Sequence, residues 1–368
     1  MKKKNLCKTL VKTMCIVLGI LILALLAYIV YLYASYYRIE DNQELVVEAP
    51  VDDTTTGAAA VLATDTEYSA VTYNIGFGAY LPDYSFFMDG GTSSWAESPE
   101  TVQYAINGAG ELVKSLNPDF ALIQEIDLDA TRSYHTDEYE MLRNILPEYT
   151  TVFAQNYDSA FLFYPFTQPH GSSRSGLGLF SRYPVSSALR RSFPISTSFS
   201  KFFDLDRCYS VSRIPVDNGK ELVIFNLHMS AYGNSDAIRK GQIEMLCNDM
   251  AKEYEAGNYV LCGGDFNHDL KASEEDTESC ESWAFPFPRT ELPEHFAFCL
   301  DLLSTEEQAA LWNSARNADM EYVPGVTYTV TLDGFIISDN IECLSYENVN
   351  TGYSYSDHDP VKVEFVLK

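Results

Sequence analysis

Apolar positions along the chain fall into two regimes. Residues 13–37 contain no charge, and their centre, 16–32, is dominated by Ile, Leu, Val and Ala. At ~1.5 Å rise per residue, about 20 such residues cross the ~30 Å hydrocarbon core of a bilayer. From Tyr68 onward, short apolar runs alternate with stretches of helical period. The runs at 70–75, 120–126, 149–154, 177–181, 209–214, 222–227 and 259–263 predict strands. Pro99–Leu116 predicts a helix with Val102, Ile106, Leu112, Val113 and Leu116 on its apolar side, stopped by Asn117-Pro118. A long helix after Asn234 uses Ile238, Ile243, Met245, Leu246 and Met250, and Ser304-Thr305-Glu306-Glu307 is a capping box for another. Strands at 328–331, 335–338, 341–346 and 361–367 close the chain. The body therefore reads as one α/β domain, large enough to need no covalent staples.

Charge sharpens this division. The only bases in the first 38 residues are Lys2, Lys3, Lys4, Lys8, Lys12 and Arg38, and no acid precedes Glu40. The full 368 residues hold 25 bases and 52 acids, so residues 39–368 carry 19 bases against 52 acids, a net −33. A basic head, an apolar segment and an acidic body describe a membrane anchor with a cytoplasmic N-terminus. Tyr28, Tyr31, Tyr33, Tyr36 and Tyr37 suit an outer aromatic belt. A cleaved signal peptide is the alternative, but this stretch exceeds the usual ~7–15 apolar residues and Leu32-Tyr33-Ala34 is a poor cleavage site. The expected organisation is a cytoplasmic head (1–12), a transmembrane anchor (13–37), an acidic linker (38–66) and a catalytic domain (67–368) outside the plasma membrane. Residues 39–66, rich in Asp, Glu, Thr and Ala, predict a flexible tether with an r.m.s. span of about 30 Å.

The acidity excludes a polycationic nucleic-acid coat protein. It leaves room for a metal-assisted nuclease, since bound cations bring phosphates to an acidic site. No CxxC, HExxH or Cys/His quartet occurs, so zinc is not expected. Cys280 and Cys299 bracket one loop and are the one pair to suspect of a disulfide; otherwise the thiols read as free.

Several strands end abruptly in polar residues: Asn74, Glu125, His228 and Asp265-Phe266-Asn267. Asp333 interrupts another run, and Ser356-Asp357-His358-Asp359-Pro360 precedes the last strand. Singly, each has a structural explanation as a turn cap or a satisfied hydrogen bonder. Together they supply carboxylates and an amide suited to Mg²⁺ or Mn²⁺, with two histidines for proton transfer and phosphate contact. No Walker loop, GxSxG elbow or clear Cys nucleophile is present. The set favours metal-assisted attack of water at phosphorus.

The series Tyr73-Asn74-Ile75, Gln124-Glu125, Ser175-Gly176-Leu177-Gly178-Leu179-Phe180-Ser181-Arg182-Tyr183-Pro184, Asn226-Leu227-His228, Gly264-Asp265-Phe266-Asn267, Leu332-Asp333-Gly334-Phe335 and Ser356-Asp357-His358-Asp359-Pro360-Val361 resembles the endonuclease/exonuclease/phosphatase superfamily. That superfamily includes pancreatic-type DNase, abasic-site endonucleases, neutral sphingomyelinases and inositol-polyphosphate 5-phosphatases. The resemblance spans about 68–368. It implies a four-layer α/β sandwich of two packed mixed sheets with helices outside. It implies Glu125 as principal metal ligand with Asn74 beside it and Asp357 next to the metal. Asp265 would orient or deprotonate the attacking water, and Asn267 would hold that water or a phosphoryl oxygen. His228 would donate to the developing charge, and Asp333 would fix the tautomer of His358. Either Asp265 or His358 would be the base.

Two departures stand out. Arg174 occupies the position before Ser-Gly where abasic endonucleases carry Tyr, so it is a candidate phosphate ligand or a plain surface arginine. Gly334 stands where Tyr or His is common, which leaves the orientation of Asp333 open. The aromatic segments 80–87, 161–166 and 283–288 could enter lipid, stack on bases or pack on the body. The expected substrate is a phosphoester in a phospholipid or sphingolipid headgroup, with extracellular DNA or RNA as the alternative and a non-catalytic binding module third. No obligate protein partner is apparent.

Overall fold

The computed structural model describes residues 2–52, 61–202, 204–231, 236–273 and 284–368, and its contacts divide the chain into two compact units, Met1–Arg38 and Ile39–Lys368. The first is a single helix, α1 (Lys2–Ser35). It is long and apolar enough to cross a membrane, and a signal sequence would share those features.

The strands of the second unit are β1 (Gln43–Glu44), β2 (Val47–Glu48), β3 (Glu67–Asn74), β4 (Phe120–Ala130), β5 (Thr150–Asp158), β6 (Ser173–Ser181), β7 (Ser187–Ser192), β8 (Cys208–Pro215), β9 (Glu221–His228), β10 (Tyr259–Asp265), β11 (Phe296–Phe298), β12 (Ala315–Arg316), β13 (Thr329–Val330), β14 (Asp333–Ser338), β15 (Ile341–Asn348) and β16 (Val361–Leu367). Its α-helices among the described residues are α2 (Pro99–Leu116), α3 (Glu138–Ile145), α4 (Asp236–Glu255) and α5 (Thr305–Ala310). One sheet runs β1-β7-β8-β9-β10-β14-β11 and the other β15-β16-β3-β4-β6-β5-β2. Both are mixed: β9 and β10 are parallel, as are β3 and β4, amid antiparallel neighbours.

Period-two alternation explains how the layers stack. On β4, Phe120 and Leu122 join the core shared with Phe225, Leu261 and Phe335 of the facing sheet. Ala121 and Ile123 face the other way and pack with Val102, Ile106 and Val113 of α2. Helix α4 contributes Ile243, Leu246 and Met250 to the first cluster and contacts β10. Helices thus flank two packed mixed sheets, the sandwich expected. Ser98 caps α2 by accepting from Thr101 N at 3.1 Å, and the Ser304/Glu307 capping box is formed at α5.

The linker region differs from its expectation. Residues 39–52 lie on the body instead of forming a free tether, with β1 paired to β7 and β2 to β5. The cause is a fully buried arginine. Arg190 donates to the carbonyls of Glu40 (3.1 Å), Gln155 (2.7 Å) and Asp206 (2.8 Å), so it gathers segments distant in sequence. Arg143–Glu48 (2.9 Å) and Arg191–Asp41 (3.1 Å) hold acids that composition alone assigned to self-repulsion. Leu62 is also fully buried, its N–H on the Pro215 carbonyl at 3.0 Å. Cys280, Trp283 and residues 53–60 lie outside the described residues. Cys299, suspected of pairing with Cys280, is a free buried thiol beside that of Cys343.

Candidate active site

Strand register brings the polar ends together. Asp265 is opposite His228 across the parallel β9–β10 pair and opposite Asp333 across the antiparallel β10–β14 pair. In the other sheet Asn74 is opposite Gln124. Beneath the site, buried Gln124 Nε2 donates to Thr72 Oγ1 (3.1 Å) and Asn226 Oδ1 (2.8 Å), tying one sheet to the other. Glu125 is aimed by a bulge. Its φ is 57°, and β4 loses register with β6 between Ile123 and Ile126. Two further anchors hold this strand end: Arg132 pairs with Asp127 through two bonds (2.9 and 3.1 Å), and Glu138 accepts from Asp127 N at 2.8 Å.

Asn74 Nδ2 donates to Glu125 Oε1 and Asp265 Oδ2, both at 3.1 Å, while its Oδ1 accepts from Gly76 N at 3.0 Å. His228 Nε2 lies 3.8 Å from Glu125 Oε1 and 3.5 Å from Asp265 Oδ2. Asn267 N donates to Asp265 Oδ1 (2.8 Å), and its amide donates to the Met229 carbonyl (2.9 Å). His358 Nδ1 is 2.7 Å from Asp333 Oδ2, and its Nε2 is 3.9 Å from Asp265 Oδ2. Ser314 Oγ donates to Asp333 Oδ2 at 2.7 Å. The aspartate thus keeps its orientation beside Gly334, where a Cβ would come within 2.8 Å of Leu270 Cδ1. Ser356 Oγ donates to the Asn74 carbonyl (2.9 Å), which joins the Asp357-His358 loop to β3.

These groups perturb one another. Burial raises the Glu125 carboxyl, and the Asp357 charge adds to the effect. Burial likewise raises Asp357, against relief from His358 and Arg316. Burial pushes Asp265 up to about 7, with His358 opposing. Burial disfavours a charge on His358, but the carboxylates of Asp333 and Asp265 overcome it and hold the imidazole well above its usual range. Burial, then the Arg207 charge, drives His228 well below it.

Carboxylates at Glu125 and Asp357, the charge of the second raising the first, with Asp265 tied to Glu125 through the Asn74 amide, fit a hard divalent cation. Asp265, Asp333 and His358 also bring one potential ligand atom each within 4.8 Å of one another. Of these, Asp333 Oδ2 and His358 Nδ1 already bond to each other, which suits an orienting pair better than a ligand pair.

Of the expected site residues, all but Arg174 join this arrangement. Arg174 is exposed and 3.4 Å from Asp129 Oδ2. The sequence reading missed Arg132, Ser314 and Arg316. Arg132 is buried, stacks 3.7 Å over the Phe77 ring and offsets the charge of Glu125. Ser314 and Arg316 sit outside every quoted motif and gave no signal. Asp359, inside the last motif, faces structural partners instead: Trp312 Nε1 (2.8 Å), Thr351 and Tyr353 N (3.3 Å).

The family model described as Endonuclease/Exonuclease/phosphatase family matches residues 71–302. A search of curated proteins finds no match. Among solved structures, an endonuclease/exonuclease/phosphatase from Beutenbergia cavernae is similar with a TM-score of 0.54 at 15% identity, over 82% of this chain and 72% of that one. One from Bacteroides vulgatus gives 0.53 at 17%, over 83% and 100%. D. rerio TDP2, complexed with single strand DNA product, gives 0.54 at 14%, over 82% and 99%. At these identities the structures speak for the fold, and with the family model they lead to one assignment: the chain belongs to the endonuclease/exonuclease/phosphatase family.

Proposed function

We propose that the chain is a Mg²⁺- or Mn²⁺-dependent phosphoesterase, anchored by α1 with its body outside the plasma membrane and acting on phospholipid or sphingolipid headgroups. The observation that carries the hydrolytic reading is the convergence of Asn74, Glu125, His228, Asp265, Asn267, Asp333 and His358 within hydrogen-bonding or ion-pair reach of one another.

Glu125 and Asp357, with Asp265 nearby, would hold the cation, and Asn74 ties the Glu125 and Asp265 carboxylates in place. Bound there, the cation would polarise the phosphoryl group. Asp265 is fixed through Oδ1 by the Asn267 N–H and through Oδ2 by the Asn74 and Asn267 amides (3.1 and 3.2 Å); Oδ2 also faces the two imidazoles, where it would orient water and take its proton. His358, held at Nδ1 by Asp333, presents Nε2 to a phosphoryl or departing oxygen. His228 Nε2 donates from the other side.

Two observations support the lipid reading. The acidic body disfavours a long polyanion, net −33 by composition. In addition, a chain of ring contacts runs Phe77–Tyr80–Phe86–Phe87–Tyr164–Phe166, from the turn after Asn74 to rings that are 63% (Tyr164) and 85% (Phe166) exposed. Segment 80–87 is mostly packed; segment 161–166 would offer Phe163, Tyr164 and Phe166 to a membrane, and Phe285 of segment 283–288 is exposed as well, with the Arg239 guanidinium over its ring. The likeness to a TDP2 structure holding single strand DNA product favours nucleic acid as the second reading. Turnover by the full chain of sphingomyelin, phosphatidylinositol phosphates, plasmid DNA and RNA decides between them. Hydrolysis of nucleic acid alone would replace the lipid reading.

A further inference from the structure

Two thiols meet at one edge of the sandwich. Strand β11 is the last of one sheet and β15 the last of the other. Cys299 follows β11 directly and opens the one-turn 3-10 helix Cys299–Leu302, which contacts β15. Cys343 lies on β15 where the register with β16 slips, between Cys343 and Ser345. Both side chains join one apolar cluster with Ile341 and Tyr346, Cys299 buried within it and Cys343 packed half-buried against it. Cys343 Sγ donates to the Ser345 carbonyl at 3.4 Å, which holds its side chain in place, and Cys299 Sγ hydrogen-bonds to the Cys343 sulfur. Among the described residues, these are the cysteines whose thiols bond to each other.

Outside the plasma membrane, disulfides form and persist. The two thiols also differ in the way that exchange requires. The bond from Cys299 holds the half-buried Cys343 thiol below its ordinary value. The same bond, with burial, pushes the Cys299 thiol well above it. Cys343 is therefore the accessible nucleophile and Cys299 the resolving thiol. The Cys343 thiolate attacks a sulfur of a disulfide-bearing oxidant, whose other sulfur leaves as a thiol. Cys299 then gives up its proton and displaces the second thiol. Two protein S–H bonds become one S–S bond, and the oxidant's S–S bond becomes two S–H bonds, so electrons and protons balance.

We propose that Cys299 and Cys343 form a disulfide in the exported chain and staple the two sheets together at this edge. The assignment rests on the body lying outside the membrane and is independent of the substrate. The closed loop, 299 to 343, carries Ser314, Arg316 and Asp333, so the segment that orients His358 is tied at both ends. Cys299 thereby gains a partner on the opposite sheet in place of Cys280.

The test is mass spectrometry of the full-length chain from cells lysed in excess iodoacetamide and digested without reductant. The expected product is a peptide pair joined through Cys299 and Cys343, lighter by two hydrogens than the separate thiol peptides and split by dithiothreitol. Alkylation of both cysteines, or a bond from Cys299 to Cys280, would overturn the assignment. External protease on the same cells separates the causes. Free thiols on a body that protease removes would sink the disulfide alone; free thiols on a protected body would sink it together with the topology. Dithiothreitol should also lower the melting temperature of the purified parent by about 3–8 °C and leave Cys343→Ala unmoved. An equal shift in both, or none in the parent, would overturn the bond as well.

Discussion

Asp333 Oδ2 receives both His358 Nδ1 and Ser314 Oγ at 2.7 Å, so one buried carboxylate oxygen orients the imidazole and is itself oriented. Ser314 Oγ in turn accepts from Leu332 N (3.0 Å) and Asp333 N (3.1 Å), which fixes the start of β14. Replacing Asp333 with Asn should lower kcat by about 10²-fold or more, the usual scale for a positioned acid–base group. Ser314→Ala should cost less and leave the melting temperature within a few degrees. Equal turnover in Asp333→Asn and the parent would remove His358 from the mechanism.

A glycine on β10, opposite Leu227 of β9, should be intolerant of change. Gly264 has φ 146°, and a Cβ there would lie 2.1 Å from the Leu227 carbonyl oxygen. Gly264→Ala must move β9 or β10 apart, at a cost of at least ~1–3 kcal/mol for the backbone conformation alone. Denaturant unfolding should show that loss; a midpoint equal to the parent's would mean the strands yield freely.

Much of the site was legible because α/β proteins place chemistry at strand ends, and runs such as 222–227 stop at their polar residue. What stayed hidden depends on distant partners. Nothing local in Ser-Ala-Arg around Ser314 signals that its hydroxyl serves Asp333. Arg132 reads as an ordinary loop base until the chain brings it over Phe77. The docked segment 39–52 was misread because acid-rich composition predicts repulsion, whereas Arg190, Arg143 and Arg191 lie some 90 to 150 residues away and neutralise or bind it. Strand β7 and helix α3 also escaped the reading. Ser-Ala-Leu-Arg-Arg-Ser has little apolar content, and Glu138 sits buried where the pattern expects a polar face.

Glu138 supplies a pH test of that buried polar layer. Burial raises its carboxyl well above the ordinary 4.5, with the Asp127 charge adding to the rise. The folded protein therefore keeps a proton that the unfolded chain releases. The stability tied to it is whole below the unfolded value and is lost as pH climbs towards the folded one. Glu138→Gln keeps an acceptor for Asp127 N and cannot ionise. It should melt above the parent at pH 8 and match it near pH 4. A gap unchanged across that range would contradict the assigned protonation.

The topology has its own test. Protease added to intact cells or spheroplasts should remove the body and spare the short head. Protection of the body would reverse the orientation, and a shortened soluble form alone in the medium would show that α1 is cleaved.

The most direct measurement is hydrolysis of bis-nitrophenyl phosphate by the full-length chain, with Mg²⁺ or Mn²⁺, with EDTA, and with Asp265→Ala and His358→Ala. The account predicts turnover with metal, its loss in EDTA and recovery on adding excess Mg²⁺ or Mn²⁺. It also predicts a drop of about 10²-fold or more in each folded variant. Turnover undiminished in EDTA, or retained near the parent rate by either folded variant, would contradict it.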